Sequence, residues 1–159
     1  MISDQEFTEI YLRQIKTVYG IALCHGLQPA DCEDIAHNTF LRLIESGTVF
    51  KNAKHEKAWC IVTAGNLCID LLRSKNYHQP EVKEDDAVAN LELADQALYR
   101  AVMSLPLRLR MPIHLFYYEG YKSREIAQLL QRKDSTVRNQ LAEARALLKE
   151  KLESEGYEA

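Results

Sequence analysis

The stretch EGYKSREIAQLLQRKDSTVRNQL, residues 119–141, decides the fold. Its apolar residues Ile126, Ala127, Leu129 and Leu130 recur at helical spacing, give way to a polar turn over 131–134, and resume as Val137, Leu141, Ala144 and Leu148. Two helices meeting at a tight turn are therefore predicted, the outline of a helix-turn-helix, with Ala127 small enough to let the second helix approach closely. Asp134 or Ser135 is the expected cap, accepting a hydrogen bond from the amides that open the second helix. The outward face of that helix carries Thr136, Arg138, Asn139 and Gln140. Arg, Asn and Gln offer the donor and acceptor pairs that match base edges in the major groove. The same pattern also fits a solvated helical hairpin with no nucleic-acid partner, because helix-turn-helix geometry recurs in proteins that never touch DNA.

A chain of 159 residues holds one domain or two small ones. No apolar run approaches the roughly 20 residues that span a bilayer, and the first residues are acidic where a secretory signal would be basic. Membrane insertion is not expected, and the expected location is the cytoplasm. The four cysteines, Cys24, Cys32, Cys60 and Cys68, lack C-x-x-C spacing and read as buried reduced thiols. A zinc site from Cys24, His25, Cys32 and His37 would match no common ligand pattern, so neither a metal nor any other cofactor is expected. The net charge of −3 argues against a protein that coats nucleic acid indiscriminately. Its distribution is uneven: residues 1–75 hold 8 basic and 9 acidic residues, 76–99 hold 1 and 6, and 100–159 hold 11 and 8. The basic C-terminal part suits phosphate contacts, whereas the acidic middle is repelled by DNA.

The periodicity is helical almost throughout, so the fold is expected to be all-α. Ser3 and Glu6 form a capping box ahead of a helix lined by Phe7, Tyr11, Ile15, Val18 and Ala22, ending near Gly26. Pro29 and Asp31 start a second helix with a stripe of Ile35, Ala36, Thr39, Phe40, Leu43 and Ile44, which Ser46 and Gly47 end. A polar loop over 48–55 leads into a third helix over about 56–75, apolar on much of its circumference through Trp59, Ile61, Val62, Leu67, Cys68, Ile69, Leu71 and Leu72. Apolar periodicity then stops, Pro80 appears and acidic residues cluster. This divides the chain into a helical bundle over 1–75, an acidic linker over 76–90 and a second helical bundle over 91–159. In the latter, 91–105 form a helix, Pro106 opens another with Met111, Leu115 and Tyr118 on its stripe, and Pro112 kinks or delays that helix.

With both modules in place, the chain resembles the extracytoplasmic-function (ECF) group of bacterial RNA polymerase sigma factors. DCEDIAHNTFLRL is similar to the family's core-binding segment, and WCIVTAGNLCIDLLRSK to its promoter-melting helix through Trp59, Asn66, Asp70 and Arg73. Leu105, Pro106 and Arg110 match an L-P-x-x-x-R opening. Glu119, Gly120, Glu125, Ile126, Ala127, Thr136, Val137, Ala144 and Arg145 match the DNA-reading segment.

The resemblance implies a promoter-specificity subunit with no catalytic residues. Its first module would bind the clamp of core RNA polymerase and the minus-ten element, its second the flap and the minus-35 element, with the acidic linker threading toward the RNA exit path. By position, Asp31, Asp34, Thr39, Phe40 and Leu43 are candidates for core polymerase contact, Phe40 and Leu43 being equally readable as interior. Phe50, Lys51, Asn52, His55, Asn66, Asp70, Arg73 and Lys75 are candidates for the minus-ten side, with Arg73 and Lys75 on phosphates and Asp70 equally suited to capping or pairing an arginine. For the minus-35 element, Arg138, Asn139 and Gln140 are the base-reading candidates, and Lys133, Thr136 and Arg145 fall on the DNA backbone. Trp59 reads as core.

Several positions depart from the family. His37 and Asn38 replace Gln-Glu on the core-binding helix, Gln131 replaces the turn glycine, and Arg132 replaces an apolar residue, which predicts a more basic turn surface. Arg138, Asn139 and Gln140 stand where K-S-R is frequent. The resemblance also makes an anti-sigma factor a plausible partner. A stand-alone helix-turn-helix regulator is the competing reading; it accounts for the second module and leaves the first without a purpose. No nucleophile–base pair, phosphate-cradling loop or coherent ligand set points to an enzyme.

Overall fold

Ser3 opens the first helix, α1 (Asp4–Cys24), by accepting a hydrogen bond from the Glu6 amide at 3.2 Å. The structure is a computed structural model and describes residues 2–74 and 93–156. Among the described residues there are helices and no strands, in keeping with the all-α expectation. The chain divides into two compact units, Met1–Pro80 and Glu81–Ala159. Lys75 and the acidic segment 76–90 lie outside the described residues.

In the first unit α2 (Pro29–Ser46) begins with proline at its first position, where the missing N–H costs nothing, and stops at Gly47 in the left-handed region (φ 61°). The third helix, α3 (Ala53–Arg73), starts three residues earlier than its apolar pattern suggests, because Asn52 caps it by accepting from the His55 amide at 2.8 Å. The three helices pack on one another around Val18, Ile21, Ala22, Cys32, Leu43, Cys60, Ile61, Ala64 and Cys68, all nearly inaccessible to solvent. All four cysteines are buried free thiols, as expected. Burial pushes Cys32, Cys60 and Cys68 up to about 12. The residues weighed for zinc are not gathered: His37 is exposed, His25 Nδ1 lies 2.8 Å from the Ile21 carbonyl, and Cys32 donates to the Leu27 carbonyl.

The buried face of α1 keeps Val18 and Ala22 as expected but differs toward the start of the helix. Ile10 and Gln14 turn inward, while Tyr11 is 40% exposed and meets Phe40 at the rim, ring centroids 4.9 Å apart. The reason is Glu56. Its carboxylate lies inside the bundle and takes two hydrogen bonds from Arg13 (3.0 Å each) and one from Gln14 (2.9 Å). A buried charge must be paired and hydrogen-bonded, so α1 is rotated to present Arg13 and Gln14 to α3. Those bonds hold the Glu56 carboxyl below its ordinary range against the opposing effect of burial. Ile44, expected on the stripe of α2, is 51% exposed, and Trp59, expected in the core, is only half-buried.

The second unit contains α4 (Leu93–Met103), α5 (Leu107–Ile113), a π-helical turn (His114–Tyr118), α6 (Ser123–Leu130) and α7 (Asp134–Ser154). Pro106 precedes α5 as its cap residue, and Pro112 lies buried inside that helix without breaking it. The chain adjusts just beyond, where the Glu119 amide reaches back five residues to the His114 carbonyl at 3.2 Å. This wider turn moves Tyr118 off the expected stripe, leaving it 71% exposed, while Leu115 stays fully buried. The long helix α7 packs against α4, α5 and α6 through Val137, Leu141 and Ala144. Burying each large aliphatic side chain contributes about 1.5–3 kcal/mol.

Candidate nucleic-acid interface

Helix α6 ends on Gln131, the one described non-glycine residue in the left-handed region (φ 55°, ψ 49°). The Arg132 amide then reaches back to the Ala127 carbonyl at 2.9 Å, closing the helix end in the way glycine usually serves. The turn occupies 131–133, one residue shorter than expected. Asp134 is not the cap: it is the first residue of α7, and Lys133 precedes it in extended conformation with no side-chain capping bond. Its carboxylate sits at the positive end of the helix dipole and approaches Arg138 Nε at 3.5 Å, one turn on. Within this frame Lys133, Thr136, Arg138 and Asn139 are exposed, and Val137, Leu141 and Ala144 form the buried stripe as expected.

Two candidates are engaged elsewhere. Gln140 is half-buried, and its carbonyl accepts from Arg132 Nη1 at 2.8 Å. Arg145 donates from Nε to the Tyr117 hydroxyl at 2.7 Å and stacks over Phe116 and Tyr117, 5.0 and 5.5 Å from the ring centroids. Arg132 is half-buried rather than fully exposed. Its guanidinium folds inward to Gln140 and to the Arg108 carbonyl (2.9 Å), and burial draws its pKa down from the ordinary value. Nearby, Arg108 and Glu143 form a two-pronged ion pair at 3.0 and 2.8 Å between α5 and α7, which holds the Glu143 carboxyl below its ordinary range.

In the first unit, Asn66, Asp70 and Arg73 lie exposed at helical spacing along one face of α3. Before that helix, Phe50 packs edge-on against His55 (5.2 Å) and against Trp59 (5.8 Å). The Lys51 amide donates to His55 Nδ1 at 3.1 Å, so Nε2 is left as the donor nitrogen. Asn52 spends its side-chain oxygen on the cap. The candidates for polymerase contact separate. Asp31 is half-buried and Asp34 exposed, but Thr39, Phe40 and Leu43 are interior, the Thr39 hydroxyl donating to the Ile35 carbonyl at 2.7 Å. These three shape the core and offer no surface. Sequence reasoning missed the Arg13–Gln14–Glu56 cluster; a glutamine four residues after Ile10 on an apolar arc was its only signal.

The family model for sigma-70 region 2 matches residues 10–77, and the model for sigma-70 region 4 matches residues 95–148. The chain belongs to the sigma-70 family, in its ECF group. The ECF sigma factor SigM of Mycobacterium tuberculosis is 26% identical over 147 residues, covering 89% of this chain and 74% of SigM. The sigma factor SigV of Bacillus subtilis is 25% identical, covering 86% and 85%. The probable sigma factor RfaY of Xanthomonas campestris is 34% identical over 94% of this chain but only 41% of its own length. Among solved structures, the sigma factor RpoE of Bartonella quintana, crystallised with the anti-sigma factor NepR, superposes with a TM-score of 0.72 at 18% identity, covering 94% of this chain and 98% of that one. This likeness shows a common fold. The protein is a sigma factor for promoter-specific transcription initiation, and sigma factors are non-enzymatic regulatory subunits of RNA polymerase. No described helix of this sigma factor is long and apolar enough to cross a membrane.

Proposed function

We propose that this sigma factor binds core RNA polymerase, places its second unit on the minus-35 element, and uses its first unit to engage and help open the minus-ten element. The observation that carries this reading is the pair of exposed polar faces, one per unit, each on a helix whose opposite face is buried. Thr136, Arg138 and Asn139 stand at the start of α7, and Asn66, Asp70 and Arg73 run along α3. Arg138 and Asn139 have the chemistry of major-groove readers, and Lys133 and Arg73 that of phosphate contacts. The cluster of Phe50, His55 and Trp59 supplies stacking groups suited to an unpaired base, with Lys51 and Asn52 beside it. On α2, exposed Asp34 and half-buried Asp31 are the contacts we assign to the polymerase clamp, and the second unit is assigned to the flap.

Residues 76–90, with their acidic excess, are assigned the role of a tether through a positively charged channel. An anti-sigma factor is the proposed regulator, by analogy with the NepR complex of the Bartonella protein. The proposed location is the cytoplasm, where polymerase is found.

Reconstitution tests the reading. Purified protein mixed with bacterial core polymerase should co-elute with it and start transcripts from a defined promoter set, whose upstream sequences give both elements. Binding to duplex DNA by the free protein, together with failure to bind core, would instead establish a stand-alone regulator.

A further inference from the structure

We propose that Gln140 reads no base and instead forms with Arg132 a positioning pair that sets the pose of the recognition helix, leaving base discrimination to Arg138 and Asn139. The inference rests on the DNA-reading function proposed above. A glutamine recognises adenine with both ends of its carboxamide, the oxygen accepting from N6 and the nitrogen donating to N7. Here the Gln140 oxygen is turned into the protein, 2.8 Å from Arg132 Nη1, and its side chain is half-buried.

Arg132 is held for its own reason. An α-helical carbonyl four residues before a proline has no amide to accept from. Pro112 is such a proline, the carbonyl is that of Arg108, and Arg132 Nη1 donates to it at 2.9 Å. The Arg132 backbone is fixed as well, its amide bonded to Ala127. One side chain in the turn thus ties α5 to the first half of α7, and Gln140 is the attachment point on α7. Arg138 and Asn139, by contrast, are exposed, and the ion pair of Arg138 to Asp134, at 3.5 Å, lies on the helix surface.

The test uses holoenzyme reconstituted from core polymerase and the full chain, transcribing a promoter library randomised across the minus-35 block, with transcripts sequenced. Q140E keeps the acceptor for Arg132 and destroys the amide donor. Its rank order of preferred bases should equal the wild type at every minus-35 position, since an added carboxylate weakens phosphate attraction alike on all sequences. R132M and Q140L should each lower output about 5- to 10-fold, and the double variant should be no worse than the poorer single, because both act through one hydrogen bond. The inference is overturned if Q140E changes the preferred base at any position, or if the two losses multiply. Circular dichroism and core binding of each variant separate these outcomes from misfolding, and Q140E, which keeps the contact, carries the decision if R132M does not fold. A wild-type library with no minus-35 preference would overturn the DNA-reading function itself, a result distinct from either.

Discussion

Arg132 and Pro112 are joined through one oxygen atom: the arginine donates at 2.9 Å to the Arg108 carbonyl that the proline leaves without its helical amide. Supplying that amide should make the arginine less necessary. Arg132→Met should cost about 1–2 kcal/mol of stability in the natural chain and clearly less in a Pro112→Ala background, where residue 112 can donate to Arg108. Urea denaturation followed by far-UV circular dichroism measures both; equal costs in the two backgrounds would refute the link. The single tryptophan, Trp59, lies in the first unit, so its fluorescence follows that unit.

The same fluorescence reports on Glu56. Glu56→Ala strips partners from Arg13 and Gln14 and should destabilise the first unit by about 1–3 kcal/mol. The pH dependence has a definite sign. The Glu56 carboxyl titrates below its ordinary value of 4.5, chiefly because Arg13 donates to it, so its contribution is complete above that value in the unfolded chain. It is lost as pH falls through the lower, folded value. Denaturation midpoints of wild type and Glu56→Gln should therefore converge on acidification below about pH 4.5 and differ most near neutrality; a constant gap down to pH 3 would count against the assignment.

Gln131 pays for a left-handed conformation that glycine adopts freely. Left-handed geometry costs an L-residue about 1–2 kcal/mol, and glycine's extra freedom when unfolded takes back about 0.4–1 kcal/mol. Gln131→Gly should accordingly raise stability by up to about 1.6 kcal/mol, seen as a higher thermal midpoint by circular dichroism. A lower midpoint would mean that the Gln131 side chain makes a stabilising contact.

Arg138→Ala removes a proposed base reader and leaves the core of α7 untouched. Transcription from the cognate promoter should drop about 10-fold or more, the loss of a good base contact being about 1–3 kcal/mol. Affinity for core polymerase should stay as in the wild type. Loss of core binding in a folded variant would reassign this helix.

All four cysteines should resist modification in the native protein. At pH 8 a thiol-reactive chromophore should label none within minutes, and all four after denaturation, because each is buried and three titrate near 12. Rapid native labelling of even one would show that the first unit opens locally.

Helical spacing and terminal chemistry made the elements legible in the chain. Ser3, Pro29, Gly47 and Pro106 stand at or beside the helix ends they foretold, because capping is settled within a few residues. The start of α3 was less legible: Asn52 begins the helix before its apolar pattern does. Among site residues, Arg138 and Asn139 emerged exposed as read, whereas Thr39, Phe40 and Leu43 went inside and Gln140 and Arg145 found protein partners.

What the sequence determined by itself was local: the all-α character, the helix ends marked by Ser3, Pro29, Gly47 and Pro106, and the spaced motifs that mark the sigma-70 family. The tertiary structure alone decided which way the polar side chains turn. Gln14 faces inward because Glu56, 42 residues away, needs a donor, and Arg132 folds back because a proline 20 positions earlier strands a carbonyl. Periodicity assigns a residue to one side of a helix, but a buried charge or an unbonded carbonyl is satisfied only by whatever the fold brings beside it.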